Sequence, residues 1–333
     1  MQASEAAALI SAALTPSGQD PIELAAPPEP LTQARSATLF RFRLLSGPES
    51  LLGRDLVLRV LPSSAGTLAE AVIQREVGAL GFPAPEVLHA GTTNGHRLVV
   101  MPAIAGRPLF RALGVARGFR ALPVRLADLM RALHDLDPQP VRVALTAIDS
   151  GGAIDATARS LEDLSAALGS ISHPARGPVC AWLEEHRPPV ERPVVCHGDL
   201  HALNVVTEGT SDVLIDWELA GLAEPAFDVA RTVLLMSAVP IEMSRVARPL
   251  IQRLARRSAR QFQQAYLQRR PLSRASLEWF GTLHAARTAA VVLAEGHTHD
   301  PALAAGAEWL PTLPYLVSYV RDRTGIDLTV SGG

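Results

Sequence analysis

No lysine occurs anywhere in this chain, so every fixed cation is an arginine and any site that needs one must use a planar, permanently charged guanidinium fork. Cysteine is almost as scarce. Cys180 and Cys196 are too few for a disulfide framework or a cysteine metal site, which points to a reducing compartment. No apolar run approaches the length of a membrane span, and Glu5 stands in the Ala-rich opening segment Met1 to Leu14 where a signal peptide would carry positive charge. The expectation is a cytoplasmic protein without a membrane partner. A net charge of -2 argues against nucleic acid as a general partner. With 333 residues and 48% hydrophobic side chains, the chain is long enough to bury one large core or to form two lobes.

The most informative stretch is Val194-Val195-Cys196-His197-Gly198-Asp199-Leu200-His201-Ala202-Leu203-Asn204-Val205-Val206, followed by Val213-Leu214-Ile215-Asp216-Trp217-Glu218. Two short β-branched runs each deliver an acid to the end of a strand, with a polar loop carrying Asn204 between them. Asp199 and Asn204 have the five-residue offset of the kinase catalytic loop, in which the Asp orients and deprotonates the attacking hydroxyl and the Asn ligates Mg²⁺. Asp216 supplies a second hard oxygen, as suits an ion that keeps several waters and is shared with nucleotide phosphates. Two other readings stand beside this one. Asp199 alone is an ordinary turn or cap residue. His197, Asp199 and His201 also alternate like metal ligands on one face of a strand, as in a metal-dependent hydrolase, although that arrangement needs further ligands and leaves Asn204 without a role. His201 reads best as a loop hydrogen-bonding residue and Glu218 as a solvated or structural carboxylate.

His197-Gly198-Asp199-Leu200-His201 with Asn204, then Ile215-Asp216-Trp217-Glu218 with Gly221, Pro225 and Asp228, resembles the aminoglycoside phosphotransferase and choline kinase-like branch of the protein-kinase-like fold. Weaker echoes extend over about residues 31 to 295. The resemblance implies an α+β, two-lobed fold: an N-terminal extension at 1–30, a nucleotide-binding N-lobe with a small mixed sheet at 31–101, and a mostly helical catalytic C-lobe at 102–333. It implies a kinase that moves the γ-phosphoryl group of ATP or GTP to a hydroxyl of a small molecule. Asp199, Asn204 and Asp216 would be catalytic, with Asn204 and Asp216 holding Mg²⁺. The alternative is a pseudokinase that keeps the fold and the nucleotide but not the chemistry.

In the N-terminal half, residues 4–14 read as a short helix followed by a proline-punctuated leader. Leu39 to Leu45 alternates as a half-exposed strand that Gly47-Pro48 turns back, and Asp55 to Leu61 is the next strand. Arg59 projects opposite Leu58 and Val60; it is either a solvated strand arginine or, as the resemblance implies, the cation on the nucleotide's inner phosphates. Thr67 to Leu80 reads as a helix in which Glu70 pairs with Arg59 in the family pattern, although Thr67-Leu68-Ala69-Glu70 is equally a capping box. Glu86 to His89 and His96 to Met101 form a hairpin about Asn94-Gly95. Pro102-Ala103-Ile104-Ala105-Gly106 then resembles the hinge whose backbone reads the nucleotide base, through the Pro102 carbonyl and the Ile104 amide. The departure from the family is Leu31 to Thr38, which contains no glycine where a glycine-rich phosphate loop is expected.

Further on, Val124 to Leu136, 153–168 and 176–186 read as helices of the larger lobe. Only eleven residues separate Asp216 from Asp228, too few for a long activation loop, and Gly198 replaces the arginine that would hold an activating phosphate. A small-molecule acceptor follows more naturally than a protein. Asp228 opens a helix either as its N-cap or, by resemblance, as a brace for the catalytic loop. Arg248 to Arg270 is amphipathic and strongly basic, which does not suit a pocket for a polycationic aminoglycoside. His297 and His299 are candidate substrate contacts, beside a helix start at Asp300-Pro301.

Overall fold

A computed structural model describes residues 1–15, 20–31, 37–61, 68–148, 155–209, 211–238, 248–297 and 310–329. The smaller lobe is a five-stranded antiparallel sheet in the order β2-β3-β5-β7-β6. Its strands are β2 (Glu29–Pro30), β3 (Thr38–Phe42), β5 (Leu56–Leu61), β6 (His89–Thr93) and β7 (His96–Pro102), with β1 (Glu23–Leu24) and β4 (Leu44–Ser46) paired beside it.

The two-residue alternation of β5 sorts its side chains. Leu56, Leu58 and Val60 join Phe40, Phe42, Leu98 and Val100 on one face, covered by Ala6, Leu9, Ile10 and Leu14 of α1 (Ala3–Leu14). Leu61 and Val99 pack on the other side with Ala71 of α2 (Ala69–Ala79). The strand expected over Leu39 to Leu45 is broken at Arg43 into β3 and β4, yet Phe40, Phe42 and Leu44 all reach the same core. The hairpin turns at Asn94 and Gly95, whose φ values of 49° and 78° are those of a two-residue turn matched to the sheet's twist. Its first strand runs up to that turn from His89 instead of ending there.

The larger lobe is mostly helical. It comprises α3 (Leu109–His134), α4 (Gln139–Ala147), α5 (Ala156–Ser170), α6 (Arg176–Glu185), α7 (Pro225–Ser237), α8 (Arg248–Leu267), α9 (Arg274–His297) and α10 (Leu313–Thr324). Short antiparallel pairs line its upper surface: β9 (Val194–Cys196) with β12 (Gly221–Ala223), and β10 (Val205–Glu208) with β11 (Ser211–Leu214) and β8 (Arg107–Pro108). Among the described residues no helix is long and apolar enough to cross a membrane.

The helix expected from Val124 begins fifteen residues earlier, at Leu109, and carries Pro123 inside it. Proline removes one amide from the ladder, but Leu122, Leu126, Met130 and Leu133 bury one stripe against α2, α4 and α8, and that packing outweighs the lost bond. Asp155 caps α5 by accepting the amides of Thr157 and Ala158. Where the chain passes between the lobes, Gly106 has φ +116° and a Cβ there would sit 2.5 Å from the carbonyl oxygen of Thr207, so the crossing tolerates only glycine.

Candidate active site

Strand β9 ends at Cys196, and the chain then folds into a tight loop held from below. Asp228, in the first turn of α7 and buried, accepts the amide of His197 at 2.8 Å and that of Gly198 at 2.6 Å. His134, at the end of α3, lies 3.2 Å from the same carboxylate through Nε2, and its Nδ1 is 2.6 Å from the Tyr266 hydroxyl. Burial pushes the Asp228 carboxyl up, but the His134 hydrogen bond and the loop amides outweigh it and hold the acid below its ordinary range. Asp228 is therefore no N-cap. Glu224 occupies that position, with Pro225 at the first helical residue.

Gly198 sits at φ +79°, and a Cβ would lie 2.5 Å from the Leu219 carbonyl oxygen. That is the physical reason no longer side chain stands at this position. His197 is buried against the edge of Trp217, its Nε2 is 3.0 Å from the Ile215 carbonyl, and its Nδ1 accepts the Asp199 amide at 3.3 Å. Both ring nitrogens are thus committed to the backbone. The alternative of three strand-aligned ligands, His197, Asp199 and His201, does not fit this geometry: the strand ends before them and His197 has no lone pair to offer.

Asp199 emerges from the loop with its carboxylate engaged on both oxygens. Arg231 Nη2 donates to Oδ1 at 3.1 Å, while His201 Nε2 at 3.4 Å and Asn204 Nδ2 at 3.3 Å approach Oδ2. Burial alone would raise this acid, yet the His201 hydrogen bond and the Arg231 charge hold it well below the usual carboxylate range. Asn204 also donates to the Asp199 carbonyl at 3.0 Å, which fixes its amide and leaves Oδ1 as its acceptor.

Asn204 and Asp216 are joined through the backbone, where the Ile215 amide donates to the Asn204 carbonyl at 2.9 Å. Asp216 has φ +66°, the left-handed region that non-glycine residues enter at a cost, and strain of this kind clusters at functional sites. Its side chain is 42% exposed, and Oδ1 lies 3.5 Å from Arg59 Nη2. An exposed carboxylate and a fixed amide oxygen lining one cleft are hard-oxygen donors of the kind that a hydrated divalent cation such as Mg²⁺ takes.

Arg59 is the central cation of the cleft. It is buried, with Nη1 3.2 Å from Glu70 of α2 and Nη2 3.5 Å from both Asp216 and Glu218. The Glu70 contact is close in distance without the angle of a hydrogen bond, and burial pushes that carboxyl up against the pull of Arg59. Glu70 meets Arg59 while the N-cap position of α2, Leu68, makes no side-chain cap; Thr67 lies outside the described residues. Glu218, expected to be solvated or structural, belongs to this cluster.

The lobes enclose a cleft of about 590 Å³ over this cluster, roofed by Leu31, Leu39 and Val57 and floored by Asn204, Ile215 and Asp216. Pro102 and Ile104 line its rear edge. The intervening Ala103 amide is taken by the Asp55 carbonyl at 2.8 Å, so the next amide along is that of Ile104. Of the glycine-free segment, residues 32–36 lie outside the described residues, as do His299, Asp300-Pro301 and the side chain of His297.

Arg231 and Tyr266 escaped sequence reasoning. The signal for Arg231 was its place three residues after Asp228 in an apolar helix, which puts both on one buried face. Tyr266 touches the site across 132 residues of sequence and gave no local signal.

A sheet lobe over a helical lobe, with an acid loop and a buried strand arginine at the junction, defines a protein-kinase-like fold. Residues 31–272 match the Phosphotransferase enzyme family, and the chain belongs to that family. Among solved structures it is similar to an aminoglycoside-3'-phosphotransferase of type VIII, with a TM-score of 0.56 and 23% identity over 78% of this chain and 93% of the other. It is also similar to a choline/ethanolamine kinase family protein from Mesorhizobium loti, with a TM-score of 0.58 and 19% identity over 97% and 100%. A third is the amicoumacin kinase hAmiN in complex with AMP-PNP, Ca²⁺ and Ami, with a TM-score of 0.56 and 14% identity over 95% and 91%. No curated protein sequence matches the chain.

Proposed function

We propose that this protein is a small-molecule kinase that transfers the γ-phosphoryl group of ATP or GTP to a substrate hydroxyl. The observation that carries the reading is the convergence of Arg59, Asn204 and Asp216 on one cleft, with Asp199 hydrogen-bonded to Asn204 at its floor. Asn204 and Asp216 would hold Mg²⁺, which when bound would supply positive charge against the phosphates. Asp199 orients the acceptor hydroxyl and accepts its proton as the oxygen attacks the γ-phosphorus and the bond to the diphosphate breaks. Arg59, held by Glu70, faces the inner phosphates, and the base lies against Pro102 and Ile104.

Support for a small acceptor comes from the short path after Asp216. Residues 221–223 pair with β9 and α7 starts at Pro225, so the segment that docks a peptide in protein kinases is here a strand and a helix start. Structures with similar folds were determined with AMP-PNP and Ca²⁺, or with ADP and hygromycin B, which suits a nucleotide in this cleft. The pseudokinase alternative fits less well, because the acid and amide set is intact and assembled. The test is Mg²⁺-dependent transfer from ATP or GTP to a set of antibiotic, sugar and amino-alcohol acceptors, with Asp199→Asn alongside. Transfer lost by roughly 10² to 10⁴ in Asp199→Asn, with nucleotide binding kept, supports the reading. Nucleotide binding with no turnover to any acceptor or to water overturns it.

A further inference from the structure

The Asp199 carboxylate offers about four lone-pair directions. His201 and Asn204 meet Oδ2, and Arg231 meets Oδ1, so three protein donors are accounted for and the remaining direction is on Oδ1. An acceptor hydroxyl that bonds to the base must therefore do so on the oxygen that Arg231 holds. Arg231 is itself fixed. It is 7% exposed, and its Nη1 donates to Thr288 Oγ1 at 2.8 Å, which ties the base to α9 in the middle of the larger lobe. A guanidinium presents these two donors on one rigid plane, so the position of Oδ1 is set by a helix 89 residues further along the chain.

We propose that Arg231, anchored by Thr288, is a positioning residue for phosphoryl transfer: it turns Asp199 so that one Oδ1 lone pair faces the attacking hydroxyl. This inference rests on the kinase reading of the site. Arg231 is not among the residues that line the cleft beside Arg59 and Asp216, so its contribution belongs to the transfer step and not to nucleotide binding. The fork also explains why a mere positive charge is insufficient here. A lysine ammonium could reach Asp199 or Thr288 but has no planar geometry with which to hold both.

The experiment measures Mg·ATP turnover with water as the acceptor. The proteins are wild type, Arg231→Met, Arg231→Lys, Thr288→Val, Asp199→Asn and the double variant Arg231→Met with Asp199→Asn. A displacement of the order of 1 Å at a reacting group costs about 10²-fold, and a loss of that size in kcat is expected for Arg231→Met, with KM for Mg·ATP unchanged. Arg231→Lys should recover only part of it, and Thr288→Val should show a smaller loss of kcat in the same direction. Because Arg231 acts through Asp199, the double variant should be no slower than Asp199→Asn alone. Multiplicative losses in the double variant, or a rise in KM for Mg·ATP with kcat intact, overturn the inference. Should Arg231→Met fail to fold, the nearly isosteric Thr288→Val carries the test, and an unchanged kcat there overturns it equally. The underlying kinase reading fails separately, by turnover that is indifferent to Asp199→Asn.

Discussion

Asp228 and His197 are joined by one hydrogen bond across 31 residues of sequence, from the His197 amide to a buried carboxylate at 2.8 Å. With the Gly198 amide on the other oxygen, the pair makes α7 the cradle of the Asp199 loop. The first expectation follows from it. Asp228→Asn replaces one acceptor oxygen by an NH₂ that faces a backbone amide, and stranding a buried donor costs roughly 1–3 kcal/mol. Denaturant unfolding should show that loss, and turnover should fall with it because the loop loses its shape. Unaltered stability would mean that the two amides find other partners.

Arg59 splits its fork, Nη1 toward Glu70 and Nη2 toward Asp216 and Glu218. Charge-assisted hydrogen bonds contribute about 1.5–3 kcal/mol, so Arg59→Met should severely weaken nucleotide binding or turnover. Arg59→Lys should resemble Arg59→Met more than wild type, since one ammonium cannot serve both sides. Glu70→Gln should lower activity when Arg59 is present and add little once it is Met. Activities and melting temperatures of both singles and the double decide this, and strictly additive activity losses would falsify the pairing.

Asp216 is an exposed acid of the cleft, and the proposed role as a Mg²⁺ ligand predicts a linked stabilisation. A ligand at a hundred times its Kd adds about 2.7 kcal/mol, so Mg·ATP or Mg·GTP should raise the melting temperature. Asp216→Ala should remove the part of that rise that depends on magnesium. A rise indifferent to both the ion and the substitution counts against the site.

His284 gives a pH expectation. It is buried against Phe227, its Nε2 is 2.9 Å from the Phe227 carbonyl, and burial together with the Arg231 charge lowers its pKa to about 3. A histidine lowered on folding binds its proton more readily when unfolded. Stability should therefore fall as pH drops below about 6.5 and level off near the folded value. At pH 5 the loss from this group is of the order of 2 kcal/mol. His284→Gln should flatten the decline between pH 7 and pH 5 in thermal unfolding, and an identical slope would rule out this source.

The candidate site is legible in the sequence because it is local. Asp199, Asn204 and Asp216 lie within 18 positions and are separated by strands that a β-branched pattern reveals. Arg59 could be placed on its face by alternation alone, and the Asn94-Gly95 turn carries its own signal. What holds these groups was hidden for the complementary reason. His134 reaches Asp228 across 94 positions and Tyr266 reaches His134 across 132, and neither contact leaves a period or spacing. Glu70 was ambiguous because a capping box and an ion pair call for the same residue, and only the position of Arg59 distinguishes them. Helix α3 was read too short because proline is a reliable local breaker, whereas burial of a long stripe is a tertiary effect.

The family match begins at residue 31, yet the sheet that roofs the cleft is finished by α1. Ala6, Leu9, Ile10 and Leu14 close over Phe40, Phe42, Leu58 and Val100, and β1 pairs with β4 at the margin. A protein trimmed to its recognisable portion would present that aromatic and aliphatic face to water. Burying a large apolar side chain contributes about 1.5–3 kcal/mol, so the bare sheet would be weakened by several such terms and left open to self-association. The segment least marked by any motif is thus what covers the apolar back of the strands that roof the cleft.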